Sequence, residues 1–208
     1  LYYYLYGLER TGMISGLRTF GRHDWYRAGA AVLVGKQDAD GSWGSNRGWA
    51  GDYQTAFALL FLAKGNRPLL IQKVKWDGRW NRNLHDLENL TAFIGDKLGR
   101  RTAWQTTDLD RPVRELRQSP ILFIAGHEFP NFPRRQKQRL QEFIETGGTL
   151  LFEACCGKDA FIEGFEAFAR EMWPEYPLRD VTEDHPVLRS YFRLKPAEMK
   201  VGLHLPRT

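Results

Sequence analysis

Two adjacent cysteines, Cys155 and Cys156, stand in the stretch GGTLLFEACCGKDAF (147–161), between a short apolar run and a new helical pattern. A thiol on a strand-to-helix turn is held above a sheet, and a helix N-terminus favours the thiolate that acts as nucleophile. That chemistry needs a base and an orienter. His127 and Glu128 in GHE (126–128) are candidates, with His185 in EDHPVL a second imidazole. A nucleophile elbow carries a small residue two positions before and two after the nucleophile. Cys155 has Glu153 and Gly157 there, and Cys156 has Ala154 and Lys158, so each fits half the pattern. The plain alternative is that both thiols are packing residues, the commoner fate of free cysteine.

Other chemistries find less support. A metal would need three or four ligands from His127, Glu128, Cys155, Cys156 and His185, yet neither C-x-x-C nor H-E-x-x-H spacing occurs, so no metal is assigned. CCGKDAF lacks the glycines and the Lys-Ser/Thr ending of a phosphate-cradling loop, and no cofactor is assigned. Neighbouring cysteines rarely meet disulfide geometry, which excludes a disulfide framework and leaves the compartment open. His185 has a structural role open to it as the cap of a turn before Pro186. The His127-Glu128 pair has another, shaping the turn before Pro130, and Trp76 and Trp80 read as packing residues around an Asp77-Gly78 turn.

These residues need elements to position them. After Pro68 the pattern alternates between strands and helices. LLIQKVKW (69–76), TAWQTTDL (102–109), PILFIAG (120–126) and TLLFEA (149–154) are strand segments. DLENLTAFIGDKL (86–98) places Leu87, Leu90, Ile94 and Leu98 on a helical stripe. A helix from Pro133 to Gly147 buries Leu140, Phe143 and Ile144, and one running to Trp173 buries Phe161, Phe165, Phe168 and Met172. Four alternations predict a parallel α/β sheet with helices on both faces. Ligands in such sheets bind beyond the carboxyl ends of the strands. Those ends carry Lys75, Trp76 and Asp77; Gly126, His127 and Glu128; and Glu153, Cys155, Cys156 and Gly157, with Lys158 and Asp159 opening a helix. Asp77, Gly126, Glu128, Glu153, Gly157 and His185 are therefore the candidate ligand-binding residues.

Residues 1–66 carry a different period. YYYLYGLERTG predicts a helix ending at Gly12, with Tyr2, Tyr3, Tyr4 and Tyr6 as a packed face. Asp24 caps a helix through Gly35 with an apolar stripe of Trp25, Ala28, Val32 and Leu33, and a third helix covers Tyr53–Ala63. Between the last two lies Gln37-x-x-x-Gly41-x-Trp43. This spacing resembles the repeat of squalene–hopene cyclases and protein prenyltransferases, and implies the C-terminal part of an α/α toroid in which Gln caps a helix end and Trp stacks between neighbours. The basic-Gly pair expected upstream is here Ala28-Gly29, and the clustered aspartates of terpenoid cyclases are missing; Asp38-Ala39-Asp40-Gly41 belongs to the loop. This part reads as scaffold.

Charge narrows the partners. The chain carries a net charge of +5, with ten Lys/Arg against five Asp/Glu in residues 1–76 and twenty of each in residues 77–208. The densest basic run, Arg134–Arg139, lies on a helix as a solvated face without interleaved aromatics, so no nucleic-acid partner is expected. No apolar run approaches the roughly 18 residues of a membrane helix. The first residues, Leu-Tyr-Tyr-Tyr, lack a starter Met and a signal-peptide layout, which suggests a piece of a longer protein.

The second part resembles domain of unknown function 4159, a bacterial family, through IQKVKWDGRWNRN…DLENLTAFI, PILFIAGHEFPNF, RLQEFIETGGTLLFEACCG and DHPVLRSYFRL. The resemblance implies a class I glutamine amidotransferase-like, flavodoxin-like fold close to the trehalose-utilisation (ThuA-like) branch. Amidotransferases carry a G-x-C-x-G elbow and a downstream H-x-E. Here Glu153 replaces the first elbow glycine if Cys155 is aligned, and no H-x-E follows His185. Two domains are expected, 1–66 and 67–208, the second truncated. The leading expectation is a non-catalytic protein of the bacterial envelope or periplasm that binds a small polar ligand or a protein partner. The alternatives are a Cys-dependent hydrolase or amidotransferase-like enzyme using Cys155 or Cys156 with His127, and a terpenoid cyclase or prenyltransferase-like protein.

Overall fold

A computed structural model describes residues 1–44, 49–65, 67–190 and 193–195. Part of the loop after Trp43, the expected domain boundary at Asn66, Tyr191 and Phe192 of the DHPVLRSYFRL segment, and the terminal HLPRT lie outside the described residues. The chain divides into two compact units, 1–165 and 166–208.

The helical part of the first unit gathers three helices around one aromatic core. Helix α1 spans Tyr2–Ser15, α2 spans Trp25–Val34 and α3 spans Trp49–Gly65. The expected stop of α1 at Gly12 is corrected. Gly12 lies inside the helix because the indole of Trp25 rests on it, where a Cβ would sit 2.3 Å from Cε2, and the helix ends at Gly16 in the left-handed conformation. The tyrosine face is corrected in part: Tyr2 packs against the core and Tyr6 against Phe57, whereas Tyr3 and Tyr4 are exposed. Asp24 caps α2 as expected, its Oδ1 accepting from Arg27 N at 3.0 Å. The buried row of α2 is Trp25, Gly29 and Leu33 rather than the expected stripe, because the ring of Phe61 packs where Gly29 lacks a side chain and leaves Val32 outside. A hairpin of β1 (Thr19–Phe20) and β2 (His23–Asp24), without a signal in the sequence, turns the chain between α1 and α2. Leu5, Trp25, Leu33, Trp43, Ala58 and Phe61 form the core.

The sheet follows the expected alternation. Strands β3 (Leu69–Lys75), β4 (Ala103–Asp108), β5 (Ile121–Gly126) and β6 (Thr149–Ala154) pair in parallel in the order β4-β3-β5-β6. The connections carry α4 (Asp86–Leu98), the short α5 (Val113–Leu116) and α6 (Arg134–Glu145), and α7 (Asp159–Met172) follows β6. Alternate residues of each strand face opposite ways. Ile71, Phe123 and Ala125 cluster with Leu87 of α4, whereas Phe152 meets Phe165 of α7 with ring centroids 4.6 Å apart. The stripe expected on α4 is corrected: Leu87, Thr91 and Gly95 face inward, an unbroken i,i+4 row, and Leu90 and Leu98 stay exposed.

Beyond β4 the sheet edge is closed by the helical part. Leu17 forms a parallel bridge with Thr106, whose N–H donates to Gly16 O at 2.7 Å, and Arg111 Nη2 donates to Thr19 Oγ1 at 3.3 Å. No helix among the described residues is long and apolar enough to cross a membrane.

Candidate functional site

From β3 the chain passes to β4 on one side, and β5 lies on the other, so the order of connection reverses between β3 and β5. Loops leaving such neighbouring strands diverge and leave room above the sheet. The loop after β3, DGRWNRNLHD (77–86), is wrapped around one buried ammonium. Lys73 Nζ donates to Asn81 Oδ1 at 2.8 Å, to the carbonyl of Asn83 at 3.0 Å and to Asp86 Oδ2 at 2.6 Å. The rings of Trp80 and Phe123 lie 6.0 and 5.9 Å from it. Three acceptors exhaust the ammonium's three donors. With Trp80, Asn81 and Asn83 committed to Lys73, the interleaved Arg79 and Arg82 are exposed.

Arg82 reaches the next loop, where its Nη2 lies 3.1 Å from Nδ1 of His127. A guanidinium can only donate, so Nδ1 is the acceptor and the neutral ring carries its proton on Nε2. His127 is held below its ordinary pKa, first by burial and then by the charges of Arg82, Lys158 and Arg79, with Glu128 acting in the opposite direction. Gly126, just before it, is buried where a Cβ would lie 3.0 Å from the Glu128 carbonyl and 3.1 Å from the Trp76 ring, so a larger residue would have to push its neighbours aside. The indole N–H of Trp76 is buried there without a hydrogen-bond partner.

The two thiols are placed differently. Cys155 is buried against Ile71, Leu87 and Phe123, and Asn83 Nδ2 lies 3.7 Å from its Sγ. Burial and the charge of Glu153 push its thiol up, partly opposed by Lys73; this is the reverse of the lowering a helix N-terminus offers. Cys156 is exposed and has φ 58° and ψ 23°, the one non-glycine residue with positive φ among those described, and Gly157 follows at φ 62°. Among the described residues no imidazole hydrogen-bonds either sulfur, and His127 presents Nε2–H rather than a lone pair. Glu153 carries a raised pKa, through burial and then Asp86, opposed by Lys73.

The structure thus brings together Gly126, His127, Cys155 and Glu153 with Lys73, Asp86, Arg79, Arg82 and Lys158. Asp77 stays exposed on its turn, and Glu128 is exposed beside His127. His185 belongs to the second unit, where its Nδ1 accepts from Val187 N at 3.2 Å and caps a 3₁₀ turn, the structural role open to it from its sequence. In the helical part, Gln37 Nε2 donates to Gly41 O at 2.9 Å across the loop. The indole of Trp43, rather than the Gln37 amide, takes the helix-end carbonyl of Leu33 at 2.7 Å. No group of three His, Cys, Asp or Glu side chains among the described residues is arranged to hold a metal ion.

Sequence reasoning missed Lys73, Asp86, Asn81, Asn83 and the two arginines. A lysine in the middle of a strand segment, between Gln72 and Val74, with asparagines and an aspartate eight to thirteen residues on, was the available signal. No curated protein and no solved structure matches the chain. Residues 70–206 match the model of a family described as Domain of unknown function (DUF4159). The chain belongs to that family.

Proposed function

We propose that this chain is a non-catalytic binding protein. Its α/β domain, residues 67–208, takes a small polar ligand on the loops at the carboxyl ends of β3, β5 and β6, and residues 1–66 serve as scaffold. The observation that carries this reading is the pairing of Arg82 Nη2 with His127 Nδ1 at 3.1 Å, which ties together the loops on either side of the topological switch point. The order β4-β3-β5-β6 supports a flavodoxin-like arrangement, in which ligands lie at that place. The buried, raised Cys155 and the base-less Cys156 support binding over covalent catalysis.

A thermal-shift screen of small polar metabolites against wild type and Arg82→Ala tests it. A ligand at a hundred times its Kd stabilises a folded protein by about 2.7 kcal/mol, so hits are expected to raise the Tm of wild type and not of Arg82→Ala. Hits indifferent to Arg82→Ala would overturn the reading, as would a hydrolytic turnover that disappears in Cys156→Ser.

One observation favours the second reading, a cysteine hydrolase. Cys156 is exposed on a strand-to-helix turn with a left-handed backbone, as a nucleophile elbow requires. The same Cys156→Ser variant decides between the two.

A further inference from the structure

We infer that the ligand of this surface carries a phosphate monoester, gripped by Arg79, Arg82 and Lys158 with the Nε2–H of His127 as a fourth donor. The inference rests on the binding reading above and names the chemistry of its ligand.

Hydrogen-bonding capacity selects the ligand. Arginine and lysine side chains only donate, and an indole N–H only donates. His127 joins them, because Arg82 occupies its one acceptor nitrogen. Loops from three adjacent strands thus present Arg79 and Arg82 after β3, His127 after β5 and Lys158 after β6, and the unpartnered indole N–H of Trp76 lies beneath, beside Gly126. A surface rich in donors, with Glu128 the one carboxylate acting on His127, is complementary to a group made of acceptors, and a phosphate ester offers three acceptor oxygens.

Charge makes the same choice. The three cations all act on His127, and only Glu128 acts on it from the acidic side. Like charges gathered on neighbouring loops repel, and the fold does not relieve them: neither Arg79 nor Lys158 makes an ion pair with another described residue. Asp77 and Asp159 are exposed nearby in sequence. The cations that act on His127 outnumber the carboxylates three to one, and a phosphate monoester at about −1.5 to −2 offsets that excess. A neutral sugar or amide would leave the repulsion in place, and a monocarboxylate would offset less of it. Arginine also matches phosphate geometry, with paired N–H groups facing paired oxygens.

The test is a titration of the full chain with glycerol 3-phosphate, glycerol and inorganic phosphate at constant ionic strength, following the ring signals of His127 by NMR. Glycerol 3-phosphate is expected to move them saturably and to raise the His127 midpoint, because a bound anion favours the imidazolium. Lys158→Gln and Arg82→Gln are each expected to weaken binding about tenfold. Arg135→Gln, on the outer face of α6, is expected to leave it unchanged. Lys158 is exposed and outside the Lys73 network, so its variant reports on binding even if Arg82→Gln loosens the loop. Saturable binding of inorganic phosphate as tight as that of the ester would show the same grip on a free anion and supports the inference. Equal effects of glycerol and its phosphate would overturn the phosphate assignment and leave the binding site standing. A response no different from that to sodium chloride, together with an empty Arg82-dependent screen, would remove both.

Discussion

Lys73 Nζ lies 2.6 Å from Asp86 Oδ2, with the two side chains 2% and 14% exposed, and this pair fixes the loop that carries Arg79 and Arg82. Breaking a buried pair by removing one partner costs about 3–5 kcal/mol, whereas replacing both by apolar groups costs far less. Lys73→Met is therefore expected to lower unfolding stability in urea by that amount, and Lys73→Met/Asp86→Leu to recover much of it. Both variants are expected to lose ligand-induced shifts, because the loop loses its anchor. Additive losses in the double variant would show that the two side chains act separately.

The thiols should separate chemically. Cys156 is expected to alkylate in the folded protein. Cys155 is expected to label only on unfolding, since it is buried and its thiol is pushed up by burial and by Glu153. Peptide mass analysis of each site against pH distinguishes them. Rapid labelling of Cys155 in native buffer would show that its apolar packing against Leu87 and Phe123 is not maintained.

Cys156→Gly tests the turn. A non-glycine residue in the left-handed region costs about 1–2 kcal/mol, so the variant is expected to be as stable as wild type or up to about 1 kcal/mol more stable. It is also expected to retain ligand binding. Loss of binding or of a turnover would give Cys156 a direct role.

Glu153 gives stability a pH signature. Its folded pKa is raised above the unfolded value, so the folded state holds the proton more tightly. The associated stability is full below the ordinary glutamate range and is lost as pH rises through the folded pKa. Glu153→Gln is expected to be more stable than wild type at neutral pH, and the advantage should vanish in acid. Its exposure to solvent limits the gain to under about 1 kcal/mol. Denaturation at two pH values checks it, and the reverse slope would mean that Lys73 outweighs burial and Asp86.

His127 carries the opposite sign. Its folded pKa is lowered, so it favours folding above 6.5 and loses that contribution as pH falls from 6.5 toward its folded value. An NMR midpoint below 6.5 is expected, rising in Arg82→Gln and in Lys158→Gln. An unchanged midpoint in both variants would leave burial and Arg79 as its causes.

Periodicity made most of the fold legible. The bounds of β6 and α4 are those expected from TLLFEA and DLENLTAFIGDKL, because apolar spacing is local information. What failed were features set by a partner distant in sequence. Gly12 reads as a stop until Trp25 is laid on it, and Val32 reads as part of the buried stripe of α2 until Phe61 is packed against Gly29. The candidate site divided in the same way. His127, Gly126 and Glu153 are candidates from the sequence because strand ends can be counted. Lys73 is not, because a lysine in a strand reads as surface until three acceptors from its own loop enclose it.

The Leu17–Thr106 bridge has a practical consequence for anyone handling the family domain alone. A fragment cut at residue 70, where the family match begins, bares the outer hydrogen-bonding groups of β4 and strips Gly16 and Thr19 from Thr106 and Arg111. Bare strand edges recruit other strands. Such a fragment is expected to self-associate more readily on purification than one beginning at residue 1. The helical region thus stands guard over this edge of the sheet, carried in the same chain.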